Sequence, residues 1–202
     1  MRCYMCGAFS FRILCSTCRF ELGEPSVGAR RLELARFDAV SADSADKFNV
    51  YYFYNYSEIK PLILSKHKLV GSFVLKALAN IAFGRFKREF GFPCPINAIP
   101  IDDRLKHGYS HTAILAHALK CEHIRPLYAV LHSSSDVEYS GKSMQFRLEN
   151  PRNFKLLKRP KNPVILVDDV ITSGLTILQA RRVLVEAGID VLFGLVLADA
   201  RY

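Results

Sequence analysis

Val164-Ile165-Leu166-Val167-Asp168-Asp169-Val170-Ile171-Thr172-Ser173-Gly174-Leu175-Thr176 is the stretch that decides the fold. Four apolar residues in succession suit a strand buried on both faces, as in a parallel sheet. Two carboxylates then close the strand, and three hydroxyls with a glycine open a helix. Leu175 to Ala187 has helical spacing, with Leu178, Val183, Leu184 and Ala187 inward, and Gly188 is placed to end it as a left-handed cap. Val191 to Leu197 is a second apolar strand. Strand, helix and strand make a parallel crossover unit, the building block of a doubly wound α/β sheet.

The alternation extends upstream. Phe48 to Tyr54 is aromatic and β-branched and reads as a strand. Leu62 to Arg88 has helical spacing, interrupted near Gly71. Ala98 to Ile101 is a short strand ending at Asp102-Asp103, Thr112 to Leu119 is a helix, and Ile124 to Leu131 is another strand. Residues 132–162 are polar and basic without a clear period, and read as a long functional loop with a short helix or hairpin. The expected division is a small module and connector over 1–47 and the α/β domain over 48–202. Within the connector, Leu32, Leu34, Phe37 and Val40 suit an edge element.

Ligands of such sheets sit at the carboxyl ends of the strands, which points at 168–176. The free N–H groups and positive end of a helix attract an anion there. Thr172, Ser173 and Thr176 add hydroxyl donors, Gly174 allows close backbone approach, and Val170 and Leu175 frame the turn. Asp168 and Asp169 would repel a phosphate but can accept hydrogen bonds from two vicinal sugar hydroxyls beside it. The stretch lacks the Gly-x4-Gly-Lys-Ser/Thr of a P-loop. The residues alone therefore describe a site for a ribose 5-phosphate. The competing reading makes Thr176 and Gln179 a helix capping box and the acids a polar strand end.

Cys3-x2-Cys6-x8-Cys15-x2-Cys18 is a doubled knuckle spacing, suited to a tetrahedral all-sulfur zinc site. A closed four-thiolate shell leaves no open position, so this Zn2+ would be structural. Two disulfides or a redox dithiol are the other chemistries of the same pattern. Cys94 and Cys121 are isolated and read as core packing. The N-terminus has no apolar signal segment and no apolar run spans a bilayer, so a cytoplasmic protein without a membrane span is expected.

The chain has 202 residues and a formal net charge of +9, which is unevenly spread. Residues 60–125 carry 11 basic and four acidic side chains, and 142–161 carry seven and one. Such fields suit a phosphorylated small molecule or a nucleic acid. Phe83-Gly84-Arg85-Phe86-Lys87-Arg88-Glu89-Phe90 interleaves rings and cations as single-strand binders do, although core rings under a solvated face are the commoner case. Lys66, Arg85, Lys87, Arg88, Arg147, Lys155 and Lys158 are the candidate DNA-facing cations. His107 and His111 are four apart but lack an evident third ligand, and read as surface histidines.

The run from Val164 to Thr176 resembles the 5-phosphoribosyl 1-pyrophosphate (PRPP) motif of type I phosphoribosyltransferases. The resemblance implies that Asp168 and Asp169 hold the ribose 2- and 3-hydroxyls and that Thr172 to Thr176 hold the 5-phosphate. Almost the whole chain resembles the ComF family of competence proteins, in which a four-cysteine zinc module precedes a phosphoribosyltransferase-like parallel sheet flanked by helices. Lys68-Leu69-Val70-Gly71 is similar to that family's Lys-aromatic-x-Gly pyrophosphate loop. Ile99-Pro100-Ile101 with Arg104 and His107-Gly108-Tyr109 resembles its Val-Pro-x segment and Arg-x3-Arg-Gly-Phe-Asn-Gln box. Gly141, Ser143, Arg147 and Asn150 fit a later segment. His107 replaces the second Arg of the box, Ser110-His111 replaces Asn-Gln, and Tyr139 replaces the later Gln.

The resemblance implies PRPP and Mg2+ as ligands, with catalytic roles for Asp168, Asp169 and Lys68 and ligand contacts from Gly71 and Arg104. It further implies natural transformation, with incoming single-stranded DNA and other competence proteins (helicase or recombination machinery) as partners. A nucleobase phosphoribosyltransferase of salvage or biosynthesis, a DNA-binding adaptor and a PRPP-sensing regulator are the other function classes compatible with these residues.

Overall fold

The computed structural model describes residues 1–33, 47–101, 105, 108–135 and 143–201. Arg104, His107, Tyr139 and Gly141, with Leu34, Phe37 and Val40 of the expected edge element, lie outside them. The chain runs through α1 (Ser16–Gly23), β1 (Gly28–Glu33), β2 (Lys47–Asn55), α2 (Tyr56–Leu64), a 3-10 turn (Ser65–His67) and α3 (Gly71–Glu89). It continues through β3 (Ile96–Pro100), α4 (His111–Ala118), β4 (Ile124–Pro126), β5 (Leu131–Ser133), α5 (Met144–Glu149), β6 (Phe154–Leu156), β7 (Val164–Ile171), α6 (Leu175–Glu186) and β8 (Val191–Asp199).

Six strands form one sheet in the order β1-β2-β8-β7-β3-β4, parallel throughout except for β1 against β2. The α/β class with a mostly parallel sheet is thus as the sequence indicates. Alternation along β7 divides its side chains between two apolar layers. Ile165 and Val167 pack with Val74, Leu78 and Phe83 of α3 and Leu115 of α4. Val164 and Leu166 pack on the other face with Ile177, Leu178 and Leu184 of α6. A strand covered on both sides needs a continuous apolar run, which is why 164–167 has no polar position.

Several boundaries differ from the sequence reading. β7 does not stop at Asp168. It stays paired with β8 as far as Ile171, opposite Asp199, so both acids lie inside the strand. The stretch 124–131 is two short strands in different sheets, because Ala129 turns the chain at φ 53°. The connector contains an edge strand, β1, whose Leu32 is buried. The expected helix over 62–88 begins earlier, at Tyr56, and is two helices broken around the Ser65–His67 turn. The basic stretch 132–162 carries an antiparallel ribbon, β5 with β6, and the short α5. Cys94 is exposed rather than core, whereas Cys121 packs half-buried against the α3 side of the sheet.

The N-terminal segment is held to the sheet domain by shared burial. Cys3, Leu14, Cys18 and Leu22 belong to the same apolar cluster as α2 and α3. The Tyr54 hydroxyl at the end of β2 donates 2.7 Å to the carbonyl of Leu22. Among the described residues, no helix is long and apolar enough to cross a membrane.

Candidate functional site

The carboxyl ends of β7 and β8 meet the head of α6 at one corner. β7 delivers Asp168 and Asp169, then Thr172 to Gly174 turn the chain into α6. Gly174 sits in the left-handed region at φ 86°, and a Cβ there would lie 2.8 Å from Leu32 of β1. The left-handed backbone therefore favours glycine at this turn, and the Leu32 methyls would have to shift to admit a Cβ. Gly174 is also the residue that caps α6, with no side-chain hydrogen bond to the helix. The Thr176–Gln179 capping box does not form, because Gln179 Oε1 accepts instead from the Arg152 N–H at 3.1 Å. Ser173 Oγ makes a long contact with the Leu175 N–H, 3.4 Å. The N–H groups of Ser173, Gly174, Thr176 and Ile177 meet no hydrogen-bond partner among the described residues. A helix head with open donors is a site for an anion.

Two arginines flank this turn. Arg147 of α5 donates 2.6 Å to Thr172 Oγ1. Arg30 of β1 donates to the Thr172 carbonyl and lies 3.5 Å from Asp199 Oδ1. Asp199, fully buried at the end of β8, also receives Arg201 at 2.7 Å. By sequence Arg147 is a candidate DNA-facing cation that also fits a segment of the ComF family, and Arg30 lies in the connector; neither pattern shows that the two meet at Thr172.

The acid pair is electrostatically asymmetric. Asp169 is 5% exposed, its Oδ2 lies 2.5 Å from Lys66 Nζ, and its Oδ1 accepts from the Val170 N–H at 2.9 Å. Burial pushes its carboxyl up, but the Lys66 ammonium and, after it, His111 outweigh burial and hold it well below the usual carboxylate range. Asp168 is half-buried and accepts from the Asp169 N–H at 2.8 Å. Burial first, then the adjacent Asp169 charge, push the Asp168 carboxyl well above its ordinary value. The pair therefore combines a carboxyl held down by Lys66 with one held up by burial, and the oxygens of both can accept from sugar hydroxyls.

His111 opens α4 behind the Ser110 cap, whose hydroxyl accepts from the Ala113 N–H at 3.1 Å. Candidate ligand atoms of His111, Asp168 and Asp169 lie within 4.8 Å of one another. This donor set suits a divalent cation, and the structure brings His111 to the acids rather than leaving it a surface histidine.

The Lys66–Gly71 turn is fitted to the same corner. A Cβ on Gly71 would meet the Ser65 carbonyl at 2.1 Å and the Tyr109 hydroxyl at 2.4 Å. Tyr109 donates 2.8 Å to the Lys66 carbonyl, tying the segment before α4 to this turn. Lys68 is exposed, with Nζ 6.0 Å from the centre of the Tyr4 ring. Lys66, a candidate DNA contact by sequence, is the cation that reaches the acids.

The other DNA-facing candidates lie elsewhere. Arg85 is ion-paired with Glu89 at 2.7 Å and Glu24 at 3.8 Å. Phe83 and Phe86 are core, and Phe90 stacks on Phe86 with centroids 4.6 Å apart, so the interleaved rings mostly face inward. Lys87 is half-buried, while Arg88, Lys155 and Lys158 are exposed, and Lys158 Nζ donates 3.2 Å to the Tyr128 carbonyl.

In the N-terminal segment the four cysteine sulfurs converge, all within 4.8 Å of one another, and none is in a disulfide. Backbone N–H groups of Cys15 and Cys18 donate to the sulfurs of Cys3 and Cys15 at 3.3 and 3.5 Å. Burial raises the Cys3 thiol, but N–H groups of the knuckle turns outweigh it and bring it down to about 6. Four converging sulfurs with N–H support fit zinc.

No protein-family model and no curated protein matches the chain by sequence. Among solved structures it is distantly similar to "Structure of Leishmania donovani UMP synthase", with a TM-score of 0.37 and 14% identity. That similarity covers 85% of this chain and 28% of the other, so the chain spans less than a third of the length of the structure it matches.

Proposed function

We propose that the corner between β7 and α6 binds PRPP with Mg2+, and that the chain is a ComF-type protein handling incoming single-stranded DNA in natural transformation. The observation that carries the reading is the juxtaposition of open N–H groups at the head of α6 with the Asp168–Asp169 pair in the preceding strand. A phosphate on those donors and a ribose diol on the acids satisfy both halves of the site with one ligand. The competence role, with other competence proteins as partners, rests on the resemblance to the ComF family. Charge adds weight to the DNA part, with +9 overall and seven basic side chains in 142–161.

The chemistry of such a ligand is displacement of pyrophosphate at ribose C1. The residues divide the work by charge. Asp169, kept ionised by Lys66, faces the side of the sugar where positive charge develops in an oxocarbenium-like transition state. Asp168 orients the diol. Lys68, on the turn after Lys66, is the cation available to a departing diphosphate. Mg2+, held by Asp168 or Asp169 together with the diphosphate, would supply charge neutralisation for that group. Zn2+ on Cys3, Cys6, Cys15 and Cys18 would be structural.

Calorimetric titration of PRPP with Mg2+ into wild type and Asp168→Asn/Asp169→Asn tests the reading. Binding by wild type with loss of at least tenfold in the variant is expected. Equal binding by the two proteins overturns it.

A further inference from the structure

Thr172 is held by two arginines, Arg30 on its carbonyl and Arg147 on its hydroxyl. Arg30 is fixed by strand pairing and by Asp199, and it holds the Thr172 carbonyl. Arg147 stands on α5, a six-residue helix capped by Ser143, whose hydroxyl accepts from the Phe146 N–H at 3.2 Å. The chain after α5 is anchored to α6 itself, because the Arg152 N–H donates to Gln179 Oε1 in its second turn. The guanidinium of Arg147 therefore sits at the turn that leads into α6, on Thr172, two residues ahead of the Gly174 cap. Its Nη1 sits 2.6 Å from Thr172 Oγ1, a hydroxyl that retains its own proton to donate.

We propose that Arg147 is a phosphate-binding residue, the closing side of a subsite for a phosphomonoester dianion formed with Thr172 and the N–H groups of 173–177. The inference rests on the reading of the β7–α6 corner as a sugar-phosphate site, and it reassigns Arg147 away from DNA. A dianion seated on the helix head has oxygens beyond the reach of the backbone donors. A planar guanidinium already bonded to the loop hydroxyl is placed to take them with charge-assisted hydrogen bonds. Because Arg147 belongs to the ribbon-borne α5 rather than to the sheet, the subsite is assembled from two parts of the chain. A ligand carrying this phosphate then adds a second link between the β5–β6 segment and α6 beside the Arg152–Gln179 bond, which a phosphate-free ribose cannot do.

The test uses the full chain and two probes, ribose 5-phosphate and inorganic phosphate, with wild type, Arg147→Ala, Arg147→Lys and Thr172→Val. Wild type should bind both probes. Arg147→Ala should weaken each about tenfold or more, the range for hydrogen bonds to charged groups. Arg147→Lys should restore part of the loss, and Thr172→Val should lower affinity in wild type more than in Arg147→Ala, since the two groups act together. Thermal melting of the unliganded variants separates loss of binding from loss of folding. Binding of both probes by a folded Arg147→Ala protein at wild-type affinity overturns the assignment, even if PRPP binding remains sensitive to the Asp168 and Asp169 substitutions. Wild type that binds neither probe overturns both the assignment and the sugar-phosphate reading.

Discussion

Lys66 Nζ lies 2.5 Å from Asp169 Oδ2, an ion pair that joins the turn between α2 and α3 to β7. Both side chains are shielded, with 23% and 8% of their surface exposed. Such a pair adds little net stability when intact, but removing one partner leaves a buried charge uncompensated.

Lys66→Met should accordingly destabilise the fold by about 3 kcal/mol in urea titrations at pH 7. Asp169 has a depressed carboxyl, so the stability it contributes is present above the ordinary carboxylate range and is lost as pH falls through its folded value. The difference between wild type and Lys66→Met should therefore shrink as the pH drops below about 4. Lys66 is shifted up, burial being outweighed by Asp169, so its contribution persists through neutral pH and fades only above the ordinary lysine range. A gap between the two proteins that is independent of acid would contradict this pairing.

Gly174→Ala should cost about 2 kcal/mol, from the left-handed backbone and the approach to Leu32 together. Shortening the obstacle removes the clash but leaves the φ strain, so Gly174→Ala should cost less in the Leu32→Ala background than in wild type, though not nothing. Melting curves of the set, compared with Leu32→Ala alone, check this.

Removal of metal should loosen the N-terminal segment and the α3 face together, because Cys3, Leu14, Cys18 and Leu22 share one core with α2 and α3. Elemental analysis should find about one zinc per chain, and Cys3→Ser or Cys18→Ser should lose it. Chelation should lower the melting temperature by roughly 10 °C or more. A chelator-insensitive melting curve in a zinc-free protein would contradict the four-sulfur site.

If DNA follows the basic ribbon, Lys155→Ala/Lys158→Ala should make the salt dependence of single-strand affinity shallower by about 1.4 log units per log unit of salt. Arg85→Ala should change affinity by less than about twofold, since its guanidinium is already committed to Glu89 and Glu24. The reverse ranking would move the DNA face to α3.

The sheet was legible because burial on both faces leaves a strong mark. Val164 to Val167 and Val191 to Leu197 have no polar interruption, and α6 shows its inward Leu178 and Leu184 with a left-handed Gly188 behind it. The four cysteines were legible because thiolate ligands come in turn-sized pairs. What escaped is whatever depends on distant chain segments meeting. Nothing near Lys66 announces Asp169, 103 residues later. His111 lies in a stretch too short in pattern to reveal that α4 points its first turn at the acids. The strand's extension to Ile171 escaped for a related reason. Paired carboxylates look like a strand end until a cation is known to receive one of them.

The most direct test of the central claim follows the amide signals of Ser173, Gly174, Thr176 and Ile177 by NMR while ribose 5-phosphate is added. The account predicts saturable shifts concentrated on these four N–H groups. Unchanged signals there, with ligand-dependent shifts elsewhere in the chain, would contradict it.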